Sequence, residues 1–313
     1  MFSLSIETIT NIFLDCALLG LALFAGWVAP KWKRVYLCLA IVGIALFFGR
    51  TVILYNWLMP CIMLLILLIE APWSQSWYNW STKEILETLG INACADLSTI
   101  VVVALAFGHL LRDFPLGTGN WGLVTIGVPL WLQVVVFLVL IDFQRYWFHR
   151  LDHSFIFLWR FHKIHHGISK FNVISSQRAH PNHRIGNTIC YLGIAYLIGI
   201  TKEAYVLTLG CSLIFDIYLA HSNLNFPRLN EKFPWFAYLI VTPNFHGWHH
   251  TVHCRYNANL ADFFPFWDIL FGTFEKPYGN RCDWRFGLQE SEQLPSSVLG
   301  QLMSPFNNIE KLH

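Results

Sequence analysis

Five long apolar runs, at residues 12–29, 35–49, 51–69, 92–111 and 122–141, constrain this chain more than any other feature. Crossing a bilayer takes roughly 20 apolar residues, fewer or more with tilt and mismatch. The runs therefore predict transmembrane helices. Two shorter runs, 186–200 and 203–219, are separated by Gly199, Thr201, Lys202 and Glu203. Their length predicts a short hairpin dipping into the membrane, or two tilted helices. Only 13% of the residues are charged, where a soluble domain has about a quarter. The expected fold class is all-α: a polytopic membrane bundle with a helical cap on its cytoplasmic face.

Flanking charges give orientation. Lys31, Lys33 and Arg34 follow the first run and place that loop in the cytoplasm. Counting spans from there puts 70–91 and 142–185 on the cytoplasmic side, and the pair at 186–219 returns the chain to it. The turn between the second and third runs has only Gly49 and Arg50, and Pro60 kinks the third run. The start, MFSLSIETITNIF, lacks a basic n-region and a cleavage site, so its apolar run reads as a retained span. The tryptophan-rich stretch 70–91 suits an interfacial helix or an anchored loop. The expected organisation is 1–90 membrane helices and interfacial segment, 91–275 a second domain, and 276–313 polar cytoplasmic tail.

Histidines mark what the membrane helices carry. Seven of the fourteen lie between Asp142 and His183, and four more fall in FHGWHHTVHC. Residues at i, i+3 and i+4 share a helix face. His149 and His153 have that relation, as do His162, His165 and His166, and again His246, His249 and His250. Converging imidazoles repel when protonated and lack partners when neutral; a metal removes both problems. An ion takes about four protein or water donors. The three stripes supply eight, and His180 with His221 raise the count to ten, which favours two ions. Imidazole suits iron, zinc and copper alike, so the donors do not choose the metal. The eight cysteines form no CxxC pair, and most sit in apolar runs, which argues against a disulfide framework. A net charge of +2 without a Lys/Arg-rich block argues against a nucleic-acid partner.

The segments DFQRYWFHRLDH, LWRFHKIHH, RAHP, HSN, TPNFHGWHH and WDILFGTF begin at Asp142, Leu158, Arg178, His221, Thr242 and Trp267. In order and spacing, over about residues 120–275, they resemble the fatty acid hydroxylase/sterol desaturase superfamily. The resemblance implies an integral membrane, non-haem di-iron oxygenase that acts on lipid with O2. Carried over by position, the implied ligands are His149, His153, His162, His165, His166, His221, His246, His249 and His250, with His180 as a tenth. His183 stands where many members have a carboxylate, which leaves its role open. His253 lies outside the pattern. Members with a further histidine before the last box would need one at Ile217.

Asp142, two turns before His149, is placed to accept a hydrogen bond from the outer N–H of a ligand; Asp216 is placed likewise beside His221. Asp268 reads as a residue that positions the chain after the last box. The expected reaction is hydroxylation, or desaturation, of an unactivated C–H bond in a sterol, fatty acyl or related lipid. No haem, flavin or dinucleotide motif is visible. Electrons are therefore expected from a separate donor such as a cytochrome b5-like protein, a ferredoxin or a reductase. The expected location is a bacterial inner membrane or the endoplasmic reticulum. A zinc hydrolase would need a placed Glu as base, and neither HxxHH segment has one. A metal transporter would hold its ligands at mid-membrane on broken helices. A b-type haem would leave most of the histidines unexplained.

Overall fold

The computed structural model describes residues 66, 82–113, 122–215, 220–222, 234–255, 257–277, 283–289 and 292–307. The apolar runs at 12–29 and 35–49, nearly all of 51–69, and Asp216 lie outside the described residues. The elements below belong to one compact unit, Trp73–His313.

Among the described residues the chain is helical, without a strand; its single β-bridge pairs Thr251 with Phe286. Helix α1 (Thr82–Asp113) merges the expected interfacial segment with the 92–111 run into 32 residues. At about 1.5 Å per residue it is longer than the roughly 30 Å hydrocarbon core of a bilayer. The fifth run is not one helix from 122 to 141. A short α2 (Gly122–Thr125) stops at Gly127, whose φ is +70°, and α3 (Leu130–Ser154) starts after Pro129. Proline lacks the N–H that a helix interior needs and is tolerated at a helix start. The break shifts the helix along the chain and carries it on to His149 and His153. Lys83–Leu105 and Leu130–Ser154 are long and apolar enough to cross a membrane. Leu97, Ile100 and Leu105 on α1 and Trp131, Val135 and Val139 on α3 are exposed, as lipid-facing side chains would be.

Helix α4 (Ile156–His166) follows α3 after the single residue Phe155, and α5 (Pro181–Ile198) and α6 (Lys202–Ser212) correspond to the two shorter runs. Gly199 ends α5 with φ +61° and Thr201 caps α6, its hydroxyl accepting the N–H of Ala204. Both helices pack on α3 through Phe137, Ile141, Ala195, Ile200 and Ala204. Gln133, buried in this apolar contact, is satisfied: it donates to Val128 O and accepts from the N–H of Thr201. Gly122 touches the backbone of Ile198, where a Cβ would collide.

Helices α7 (Pro243–His249), α8 (Phe266–Leu270) and α9 (Val298–Met303) are the remaining α-helices among the described residues. Thr242 caps α7 by accepting the N–H of Phe245, with Pro243 in the first turn; that is the structural content of the TPNFH segment. Residues 283–289 and 292–307 do not trail away as polarity alone would suggest. Glu292 accepts from the indole of Trp159, Gln301 bonds Arg178 and Glu87, and Phe306 packs edge-on to Phe161.

Candidate metal centre

Nine of the ten implied ligands gather in two adjacent groups. His149, His153, His162, His166 and His249 form one; His165, His221, His246 and His250 form the other. Within each group every residue offers a ring nitrogen within 4.8 Å of all the others. All nine are buried except His165, which is partly so. Nε2 atoms face one another at 3.2 Å between His162 and His166 and 3.3 Å between His165 and His221. They lie 2.9 Å apart between His221 and His246, and 3.1 Å between His246 and His250.

Hydrogen bonds to carbonyls fix which nitrogen carries the proton. A carbonyl only accepts, so Nδ1–H of His149 donates to Leu260 O (2.7 Å), that of His249 to Ala258 O (2.8 Å) and that of His165 to Arg178 O (3.0 Å). In the neutral ring the other nitrogen is then a bare lone pair. Nε2 of His149 and Nε2 of His249 are buried with no hydrogen-bond partner. Burial first, and neighbouring rings second, push His162, His165, His166, His246, His249 and His250 well below 6.5, so these rings are neutral near pH 7. Neutral imidazoles with lone pairs turned inward repel unless a cation sits between them. Donors about 2.0–2.1 Å from an ion lie roughly 3.0–3.4 Å apart, close to the observed spacings. The donor set fits a metal in each group.

The loop 258–264 that supplies two of these carbonyls is held by carboxylates. Asp268 accepts the N–H groups of Leu260 and Ala261 and the hydroxyl of Thr273. Asn259, at φ +58°, ties the loop to Glu275 with both ends of its amide. Asp142 does not meet a histidine, contrary to expectation; it accepts from the backbone of Phe263 and Phe264 and from the indole of Trp267. Its effect on the rings passes through the loop. Asp268 does position the chain after the last box.

His180 is not brought to either group. It caps α5, its Nδ1 accepting the N–H of Asn182, and its Nε2 donates to Leu302 O. His183 pairs with Asp152 at 3.1 Å, and the same carboxylate oxygen lies 3.6 Å from Nδ1 of His162. His253 is exposed, beside Trp248. Sequence reasoning missed Asp152, though it sits within the HRLDH segment. It also missed Asp262, which pairs with Arg145 at 2.8 Å and lies 3.9 Å from Nδ1 of His149. The Ala258, Leu260 and Arg178 carbonyls left no side-chain signal at all. A cavity of about 210 Å³ reaches both groups, touching His149 and His162 of one and His165, His221 and His246 of the other.

The family model described as fatty acid hydroxylase matches residues 134–273. A very-long-chain aldehyde decarbonylase of Oryza sativa subsp. indica is 30% identical over 198 residues, which are 58% of this chain and 70% of that protein. This chain belongs to the fatty acid hydroxylase family. An ornithine lipid hydroxylase of Rhizobium tropici is 31% identical over 180 residues, covering 57% of this chain and 52% of that protein, about half its length. A second rice decarbonylase is 28% identical over 206 residues, with 64% and 72% covered. No solved structure matches. The fatty acid hydroxylase match contains all nine grouped histidines and both loop-holding carboxylates. Glu292 and Gln301, which brace α4 and Arg178 from behind, lie outside it.

Proposed function

We propose that this chain is a membrane-bound, di-iron, O2-dependent lipid hydroxylase or desaturase. Catalysis is assigned to residues 91–275, and the histidine groups to the cytoplasmic side. The observation that carries the reading is the pair of adjacent buried imidazole groups, with Nε2 of His149 and of His249 buried and unpartnered. The family and its relatives indicate a lipid-modifying enzyme of the hydroxylase type.

One ion would be held by His149, His153, His162, His166 and His249, the other by His165, His221, His246 and His250. Iron there would supply O2 reduction and the oxidising power to break an unactivated C–H bond. For hydroxylation, one oxygen atom enters the C–H bond, and the other leaves as water with two protons and two electrons from an external donor. For desaturation, a second hydrogen is lost and both oxygens leave as water. The residues supply the rest. The Leu260, Ala258 and Arg178 carbonyls orient His149, His249 and His165. Asp152 places a carboxylate between His162 and His183, two of the side chains that line the cavity. Trp159, packed on His153 and His166, and Phe171, packed on His221 and His250, cover the groups and exclude water.

The test is lipid mass spectrometry of cells with and without the protein, grown under 18O2. Hydroxylation predicts a lipid carrying one 18O, and desaturation predicts a loss of two mass units. An unchanged lipid profile, or product oxygen drawn from water, overturns the reading.

A further inference from the structure

The cavity beside the histidines is lined by many polar side chains, set among carbon surface. Apart from imidazoles it is walled by the guanidinium groups of Arg145 and Arg184, the amides of Gln177 and Asn187, and the hydroxyls of Ser176 and Thr188. Phe148, Ala179 and the ring of Tyr191 supply the apolar remainder. Ligand pockets are ordinarily lined mostly by apolar and aromatic side chains around a few polar groups. Here the polar side chains are many rather than few, although carbon still makes up the larger part of the exposed wall. The charges are also balanced: Arg145 faces Asp262, and Arg184 faces Asp96 and the Gln177 carbonyl. Nε2 of Gln177, a residue of this wall, is buried with no hydrogen-bond partner, and a turn of its amide towards the cavity would let it donate to an incoming acceptor.

Polarity also falls along α5. His183, Arg184, Asn187, Thr188 and Tyr191 line the cavity from one face of the helix, over about 12 Å at 1.5 Å per residue. Ile194, Ala195 and Ile198 then continue into the apolar contact with α3. At about 210 Å³ the cavity is smaller than the roughly 300–1,000 Å³ of a pocket that encloses a whole ligand. It accepts part of a lipid.

We propose that this cavity receives the head end of a polar lipid, one whose head group carries amide, amine or hydroxyl groups with little net charge. The oxidised carbon lies in that head or beside it, and the chain trails along α5 towards the apolar contact. Gln177 and Asn187 are the specificity-determining residues. The proposal rests on the oxygenase reading for its chemistry: R–H + O2 + two electrons + two protons give R–OH + H2O, the electrons coming from the external donor. A mid-chain hydroxylase would place hydrocarbon, not these amides, against the histidines.

The test uses the whole chain loaded with zinc, which is redox-silent, and two uncharged probes of equal acyl length: N-palmitoylethanolamine and methyl palmitate. Competition is read by native mass spectrometry, with metal content confirming that the site is intact. The expected result is about tenfold tighter binding of N-palmitoylethanolamine. Gln177→Leu and Asn187→Leu should each erase most of that preference and leave methyl palmitate binding unchanged. Equal binding of the two probes by the wild type overturns the proposal, as does a variant that weakens both alike. A second arm uses iron-loaded protein, a chemical reductant and 18O2. Label on the ethanolamine-bearing end supports the proposal; label in the distal half of the chain overturns it while sparing the oxygenase reading. If neither probe is labelled although N-palmitoylethanolamine binds selectively, the oxygenase reading fails and the cavity assignment stands.

Discussion

The two HxxHH segments have identical spacing and serve the two histidine groups in opposite senses. In HKIHH, His162 and His166 join the five-histidine group and His165 joins the four; in HGWHH, His246 and His250 join the four and His249 joins the five. Helix geometry explains both. At 3.6 residues per turn, positions i and i+4 point about 40° apart, while i+3 points about 60° the other way. A helical HxxHH therefore straddles two centres, and each segment reaches into the group that the other dominates. The groups are interlocked, and neither can be built from one segment.

They differ in what holds them. Rings of the five-histidine group lean on the Leu260 and Ala258 carbonyls, in a loop pinned by Asp142 and Asp268. The four-histidine group leans on Arg178. Its carbonyl takes His165, and its guanidinium is clamped by Ile164 O, Thr88 and Gln301. One anchor lies within the family match and the other draws on the chain beyond it.

The largest effect that could break this comparison comes from removing one donor on each side. His249→Ala and His165→Ala should each lower turnover by more than about 100-fold, beyond the 10–100-fold typical of outer partners. Each should take metal content from two ions per chain towards one; loss of both ions from either variant would show that the groups act as one unit. Acid should strike both groups alike. Six rings have pKa values pushed below 6.5, so the unfolded chain binds more protons than the folded one once pH drops below that value. Metal-free protein should therefore lose stability progressively below about pH 6.5, as thermal melts across pH would record. A melt independent of pH in that range would contradict the buried neutral rings.

Asp268→Asn should act on one side only. An amide nitrogen cannot accept the backbone N–H that the lost oxygen took, so the loop loosens. Affinity for the ion of the five-histidine group should fall about 10–100-fold, with the other ion retained, as metal titration would show. Gln301→Ala should give the smallest effect, a several-fold weakening confined to the four-histidine group, because Arg178 keeps its bonds to Ile164 O and Thr88. Equal weakening of both ions in either variant would erase the distinction between the anchors.

The gathering of the nine histidines was legible in the sequence because imidazole is chemically distinctive and the i, i+3, i+4 spacing survives any helix. His180 misled for a local reason: in RAHP it precedes a proline that opens α5, so its ring serves as the helix cap. Asp142 lies on the histidine helix, yet its carboxylate is taken by two backbone N–H groups and an indole from a loop 121–125 positions away. Asp262 falls outside every histidine segment, and backbone carbonyls carry no residue identity. The 276–313 segment reads as a polar tail because Glu292 and Gln301, which tie it to Trp159 and Arg178, are themselves polar. The offset of α3 was readable in principle, since Gly127 and Pro129 interrupt the apolar run.

Metal analysis of the wild-type protein purified without oxygen tests the central claim most directly. Two interlocked groups predict close to two irons per chain, with the second lost first when Gln301 is changed. A single tightly held zinc per chain, with no iron-dependent turnover, would contradict the account.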